Sequence, residues 1–339
     1  MTVFDESHLT EEQKHLLRLE RIFMPYAARQ RLEAYERQKL TLASPSGLRF
    51  AHYTSAEAAI EILRSKRIWM RNTTCMADYR EVLHGFDMLR SWFDRERTQK
   101  FTDTLDQAVP GVARKVIEDF NAWWLQGLPQ NIFVASLSEH DQTEDTHGRL
   151  SMWRAFGASS TRLAIVISVP HQSGIARELG IVFGPVAYLQ EHQVHAVIEE
   201  IIENCKREAE FLKTSGAETI RAMLFMMLFA GATSLKHEGF HEEREWRAIY
   251  SPQLFPSKLM EKTLKTVAGV PQHIFLLPMD ERVSAALHEI DLTHALDRVI
   301  IGPTQYPWVL RDALIEVLTE IGIPSPSERV QLSQIPIRP

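Results

Sequence analysis

The stretch Asn131 to Ser138, NIFVASLS, is a continuous apolar run that ends in small polar residues. A run of this length without alternation reads as a strand covered on both faces. Leu163 to Val169, LAIVISV, reads the same way, and Ile181 to Tyr188 supplies a third such segment. Leu48 to Thr54, LRFAHYT, alternates and carries aromatics, as a half-buried strand does. Shorter strands are predicted at Arg67 to Arg71, at Glu245 to Tyr250 (EWRAIY), at Ile274 to Leu277 and at Arg298 to Ile301. Helices are predicted over 77–95, over 103–126 and over 191–237, the last broken near Ser215-Gly216. Ser55 is placed to cap a helix with Ala58, Ala59, Ile62 and Leu63 on one face. Pro307 opens what reads as the final helix, since a first-turn proline loses no hydrogen bond there. Strands and helices alternate without a steady β-α-β rhythm. The expectation is therefore an α+β fold, with mixed or antiparallel central sheets flanked by helices.

Residues 8–40 are polar and strongly helix-forming, and Ser44-Pro45-Ser46-Gly47 is a turn cluster. The chain thus reads as a helical N-terminal extension, 1–44, followed by a single α+β domain, 45–339, with a helical insertion near 191–237.

The whole sequence has 339 residues, 45% hydrophobic and 24% charged, which suits a globular chain with its own core. Lysine and arginine total 38 against 44 acidic residues, a net charge of -6. That balance argues against a protein whose main work is coating nucleic acid, because neutralising phosphate requires a basic surface. Two cysteines, Cys75 and Cys205, are too few for a secreted disulfide framework, so a cytoplasmic protein is expected. The N-terminal residues lack a basic segment leading into an apolar core, so no signal peptide is predicted. The longest apolar run, Ala222 to Ala232, is too short to cross a bilayer, which takes about 20 residues. No membrane partner is expected.

Several clusters carry candidate chemistry. His237-Glu238-Gly239-Phe240-His241 matches HExxH, which on a helix would set two histidines on one face to bind zinc. Its surroundings are charged and Gly239 weakens a helix, so a polar helix end is the plainer account and no metal is expected. Next comes Glu242-Glu243-Arg244-Glu245-Trp246-Arg247. If the strand starts early, alternation places Glu243, Glu245 and Arg247 together; a solvated edge strand is the alternative. His52-Tyr53-Thr54-Ser55 stands where a strand meets a helix, and Ser136-Leu137-Ser138 ends a strand with both serines pointing one way. Packing and cap chemistry explain each of these taken alone. Asn72, Asp78, Arg80 and Glu81 follow the basic residues Arg64, Lys66, Arg67 and Arg71, which read as a solvated face or as a pyrophosphate contact. Ser151-Met152-Trp153-Arg154 reads as an amphipathic turn with a buried tryptophan. No GxGxxG follows a strand and no GxxxxGK[ST] occurs, so dinucleotide and P-loop folds lack their phosphate cradle.

Taken in order, these features resemble the family called domain of unknown function 2971. The motifs are His52-Tyr53-Thr54-Ser55; Asn72, Asp78 and Glu81; Ser136-Leu137-Ser138; Met152-Trp153; Phe240 with Glu243-Arg244-Glu245-Trp246-Arg247; and Ile301-Gly302. The resemblance covers roughly 48–305; the segment around 139–150 departs from it. The same order is loosely similar to ADP-ribosyltransferases, which place a histidine or arginine, then a Ser-x-Ser, then a Glu-x-Glu on successive strands.

What that second resemblance implies is an NAD-dependent ADP-ribosyltransferase-like protein, such as a bacterial toxin or an antiphage effector. NAD would be its substrate, with an unknown macromolecular acceptor; nucleic acid would enter only as a modification target. Cleaving the nicotinamide–ribose bond passes through an oxocarbenium-like state, as in glycoside hydrolysis. Glu245 would stabilise that charge and Glu243 would orient the acceptor. His52, Tyr53 and Thr54 would contact the nucleotide, Ser136 and Ser138 would fix the carboxylate or ribose, and Arg71 would meet the pyrophosphate. The alternatives are a non-catalytic nucleotide- or partner-binding protein and a zinc hydrolase built on His237 and His241.

Overall fold

The computed structural model describes residues 6–7, 9–41, 47–75, 81–125, 131–155, 161–170, 174–267 and 269–336. In chain order the elements are α1 (Glu11–Phe23), α2 (Pro25–Thr41), β1 (Leu48–Ser55), α3 (Ala56–Ser65), β2 (Arg67–Asn72), α4 (Glu81–Trp92), α5 (Arg95–Asp106) and α6 (Val112–Leu125). Next are β3 (Phe133–Glu139), α7 (Leu150–Ala155), β4 (Arg162–Val169), α8 (Ile175–Leu179), β5 (Ile181–Pro185), β6 (Ala187–Tyr188), α9 (Glu191–Arg207), α10 (Ala209–Ser215) and α11 (Ala217–Ser234). The chain ends with β7 (Leu235–Lys236), β8 (Glu245–Tyr250), β9 (Glu261–Val267), β10 (Val270–Pro278), α12 (Leu292–Ala295), β11 (Leu296–Ile301), α13 (Pro307–Glu320), α14 (Pro326–Arg329) and β12 (Val330–Leu332). This is an α+β chain with a helical N-terminal region.

Several predicted segments are divided, each for a local reason. Pro25 cannot continue α1, so the N-terminal helix restarts there. The Asp94 side chain accepts from the Arg97 amide at 2.8 Å and caps α5, which starts at Arg95, ahead of the helix predicted from 103. Between α5 and α6 the chain passes Pro110-Gly111, with Gly111 at φ +77°. Ile181 to Tyr188 divides into β5 and β6, which join different sheets. The break at Gly216 occurs where predicted, with φ +84°, and Glu208 adds another between α9 and α10. β9 escapes the sequence reading because its residues are mostly exposed or half-buried. The predicted final helix, α13, is followed by α14 and β12. The turn cluster Ser44 to Ser46 lies outside the described residues.

The chain divides into two compact units, 1–33 with 73–132 and 184–241, and 34–72 with 133–183 and 242–339. The first is helical. In α9 the buried residues Val194, Ile198, Ile201, Ile202 and Cys205 recur at helical spacing. Phe86 stacks on Trp124 with ring centroids 4.0 Å apart, and Trp123 meets Phe225 at 5.5 Å. α4 and α11 approach closely at Gly85, where an added Cβ would lie 2.4 Å from the Ala232 carbonyl oxygen.

The second unit holds the sheet. Among the described residues ten strands join, along the path β12-β11-β4-β1-β3-β2-β10-β9, with β8 on β3 and β5 on β8. β11 and β12 run parallel, whereas β1 is antiparallel to both β3 and β4, and β3 to β8. One face is the main core: Phe50, Ile165, Ile167, Leu137, Trp246 and Val299 pack with Ile62 and Leu63 of α3 and with Leu314 and Leu318 of α13. The opposite face carries a smaller apolar cluster of Ala51, Tyr53, Ala164, Val166 and Ile300 under Met152 and Trp153. Polar side chains adjoin that cluster.

Candidate functional site

The antiparallel register of β3 and β8 sets Ser136 opposite Arg247 and Ser138 opposite Glu245. Residues opposite one another share a face, so these four side chains stand together. Ser136 Oγ donates to Glu245 Oε1 at 2.6 Å. Arg247 Nε donates to the same oxygen at 2.9 Å and its Nη2 donates to Oε2 at 3.1 Å. Glu245 is 6% exposed and Arg247 2%. The carboxylate is therefore fixed by a hydroxyl and by a two-point guanidinium contact, the stronger class of hydrogen bond.

The strand does not start early enough to carry Glu243. Residues Glu238–Glu243 form a 3-10 turn, and Arg244 follows with φ +42°. A left-handed residue breaks the alternation on which the expectation for Glu243 rested. Holding a side chain other than glycine there costs of order 1–3 kcal/mol. Arg244 offsets this through contacts to Asp141 at 2.6 Å and Glu144 at 3.0 Å. Glu243 supplies its backbone carbonyl, which accepts from Ser138 Oγ and from Arg149 Nη1. Ser138 therefore holds the turn before β8, while Ser136 holds the Glu245 carboxylate.

Tyr53 shares this face. Its hydroxyl accepts from the Arg149 amide at 2.9 Å, and its ring meets Trp153 edge-on at 4.9 Å. Burial pushes the phenol up to about 12, with the Arg149 amide acting in the opposite direction. Trp153 Nε1 donates to the His147 carbonyl at 2.8 Å. The indole lies on Gly302, where an added Cβ would meet it at 2.9 Å. Three of the sequence motifs, at Tyr53, Met152-Trp153 and Ile301-Gly302, thus converge on one cluster. Arg71 is also on this face, because the register sets it opposite Val134, two residues from Ser136. Its Nε donates to Gln272 at 3.2 Å.

His52 and Thr54 are placed otherwise. They alternate with Tyr53, and His52 pairs with Ile165 of the main core. β1 pairs with Ser138 and Glu139 of β3 and β2 with Phe133 and Val134, so Ala135 to Leu137 between them pair with neither. The His52 ring reaches that stretch, with Nδ1 2.9 Å from the Ser136 carbonyl oxygen. A carbonyl only accepts, so Nδ1 carries the proton. Burial lowers the His52 pKa, and the Ser136 contact opposes the shift. The ring therefore touches the backbone of the Ser136 site from the far side of the sheet and is not part of the polar face.

The residues the sequence reading missed lie in the segment 139–150. Arg149 donates to Glu144 through Nε at 2.8 Å, to Ser138 and Glu243 through Nη1, and to the Glu139 carbonyl through Nη2 at 2.6 Å. Arg49 reaches Asp145 at 2.5 Å and Asp297 at 2.7 Å. Burial would raise the Asp145 carboxyl, but hydrogen bonds from His140 and Arg49 and the charges of Arg49 and Arg298 hold it below its usual range. The available signal was the density of acids at Glu139, Asp141, Glu144 and Asp145 just before Arg149.

The HExxH segment does not form the α-helix a zinc site would need. His237 Nδ1 accepts from the Gly239 amide at 3.1 Å and His241 Nδ1 lies 3.0 Å from the Glu238 carbonyl oxygen, so each ring turns to its own backbone. Asp78 and Arg80 lie outside the described residues, as does the side chain of Glu81. Among the described residues no helix is long and apolar enough to cross a membrane.

The fold and face together define an α+β protein with a Ser-Glu-Arg constellation, its Glu-Arg pair buried, on antiparallel strands of a mixed sheet. A family model described as protein of unknown function, DUF2971, matches residues 152–248, which supports the resemblance. The matched stretch opens on Met152-Trp153 and takes in Glu245-Trp246-Arg247; Tyr53, Ser136 and Ile301-Gly302 lie beyond it. No curated protein and no solved structure matches the chain.

Proposed function

We propose that the protein is an NAD-consuming, ADP-ribosyltransferase-like enzyme, with Glu245 as the group that faces the developing charge on the ribose. The observation that carries this reading is the 2.6 Å contact from Ser136 Oγ to Glu245 Oε1 across neighbouring strands. A carboxylate held in place before the reaction stabilises an oxocarbenium-like state without reorganising as charge develops. Tyr53, on the same face, is kept for the nicotinamide or its ribose and Arg71 for the pyrophosphate, whereas His52 and Thr54, which alternate with Tyr53, leave the set. The reading carries with it an unknown macromolecular acceptor and, as the sequence resemblance implies, a toxin or antiphage role.

The test is nicotinamide release from NAD by purified protein, with and without cell lysate. Glu245→Gln should lower release by about 100-fold or more, the scale for losing a charge-stabilising group. Near-UV circular dichroism must show that the variant is folded, and Ser136→Ala serves as a milder second variant. Release equal to wild type from a folded Glu245→Gln protein overturns the proposal.

A second reading rests on a specific observation. Glu245 is 6% exposed and both of its oxygens take the Arg247 guanidinium. Such a pair also suits a protein that binds a nucleotide or a partner without chemistry, the ion pair setting strand register. NAD binding without nicotinamide release, unchanged in Glu245→Gln, would favour it.

A further inference from the structure

We propose that Glu281, His288 and His294 form a binding site for a zinc-class divalent cation, separate from the Glu245 face. One ligand atom from each of the three residues lies within 4.8 Å of the others. Tetrahedral zinc with bonds of about 2.0 Å sets its ligand atoms roughly 3.3 Å apart. Closure therefore takes about 1–2 Å of side-chain rotation, and all three side chains are exposed. Two imidazoles and a carboxylate are donors suited to zinc, leaving a fourth position for water.

The site has supporting structure. His288 Nδ1 stands 2.5 Å from Glu281 Oε2, so the cation would take the place of the proton between them. His294 Nδ1 lies 3.4 Å from the His288 carbonyl oxygen. Anchoring one ring nitrogen to a carbonyl leaves the other to carry the lone pair, the usual orientation of a histidine ligand. The His288 and His294 rings meet with centroids 4.9 Å apart.

The backbone under the ligands is pinned by one buried residue. Asp291 accepts from the Glu281 amide at 2.9 Å and from the Thr293 amide at 2.8 Å. It thus fixes both the residue that bears the carboxylate and the turn that bears His294. Ser284 caps the 3-10 turn Ala285–Ile290 that carries His288, accepting from Ala286 at 3.3 Å. Arg282 is engaged with Asp280 at 2.7 Å, so the neighbouring cation is directed away from Glu281. A cation here would join Glu281 to the 3-10 turn and to α12, stapling the 281–294 segment.

The test is equilibrium dialysis of the full chain against Zn²⁺, with cobalt substitution as a spectroscopic check. The expected result is one zinc per chain and tetrahedral cobalt absorption. Affinity should fall at least about tenfold in His288→Ala and in His294→Ala, with Glu281→Gln also weakened. Because the side chains are exposed, the variants should keep the wild-type circular dichroism spectrum. Absence of stoichiometric uptake at micromolar zinc overturns the proposal. So does uptake that survives both histidine variants, or uptake lost instead in a His237→Ala/His241→Ala protein.

Discussion

The two faces of strands β1, β3 and β8 carry opposite chemistries on the same backbone. On one, Phe50, Leu137 and Trp246 pack into the main core, with the Phe50 and Trp246 rings 5.0 Å apart. On the other, Ser136, Glu245 and Arg247 form a hydrogen-bonded polar set, and Tyr53 accepts from the Arg149 amide. Both faces are buried, but by different means. The first depends on apolar area and close packing, the second on every charged group having a partner. A mutation on the first face should leave a cavity, whereas one on the second should leave an unpaired charge.

The largest effect is expected on the apolar face. Trp246 is 2% exposed, and its Nε1 donates to Glu139 Oε1 at 3.0 Å. Trp246→Ala should cost about 3–5 kcal/mol, the range for removing a large buried aromatic. Urea denaturation measures it. A loss below about 1 kcal/mol would mean that the core face does not carry the stability assigned to it here.

The next effect distinguishes the faces most directly. Arg247→Met alone should cost about 3–5 kcal/mol, because Glu245 is left as a buried charge without its main partner. Changing both residues together, Glu245→Leu with Arg247→Met, should recover most of that loss, since replacing a buried pair by apolar groups is often neutral. The double-mutant cycle is read by urea denaturation of the four proteins. If the double variant is as unstable as the sum of the singles, the pair is not one unit and the account of the polar face fails.

The main-core side has a buried charge of its own. Asp291 is 2% exposed and lies 3.5 Å from Lys66 Nζ. Burial would raise its carboxyl, yet donation from Thr293 and from the Glu281 and Thr293 amides, with the Lys66 charge, brings it down to about 2. A depressed pKa stabilises the folded chain above the unfolded value, near pH 4, and that contribution is lost as pH falls towards 2. A shift of this size corresponds to about 2 kcal/mol. Asp291→Asn should therefore be about 2 kcal/mol less stable than wild type at pH 7, with the difference narrowing between pH 4 and pH 2. A gap independent of pH over that window would show that the charge is not what stabilises this turn.

How much of this was readable beforehand also divides by face. The apolar strands stood out because Leu163 to Val169 and Asn131 to Ser138 are unbroken hydrophobic runs. α3 was legible down to Ser55 as its cap and to the four residues that it buries. On the polar face Ser136 and Glu245 were legible as strand-end residues. The face of Glu243 was not, because it turns on the left-handed Arg244, a residue whose type gives no sign of that conformation. Nor was the side of the sheet that His52 takes; alternation alone tells Tyr53 from His52 but not which one faces the serines. Arg149 escaped because half of its side-chain hydrogen bonds go to backbone carbonyls, and carbonyls have no sequence signature.

The smallest predicted effect is the sharpest test of the polar face. Ser136→Ala removes one hydroxyl and leaves Glu245 its Arg247 contacts. In stability this should cost only about 1 kcal/mol, the net worth of a single hydrogen bond when the acceptor keeps other donors. In the proposed chemistry the same hydroxyl fixes the carboxylate, so nicotinamide release should fall more than stability does, mainly through kcat with KM little changed. Equal and small losses in both would assign Ser136 to structure alone. A fall in kcat of tenfold or more from a protein with nearly wild-type stability would place the hydroxyl in the transition-state environment, on the side of the sheet where packing does least.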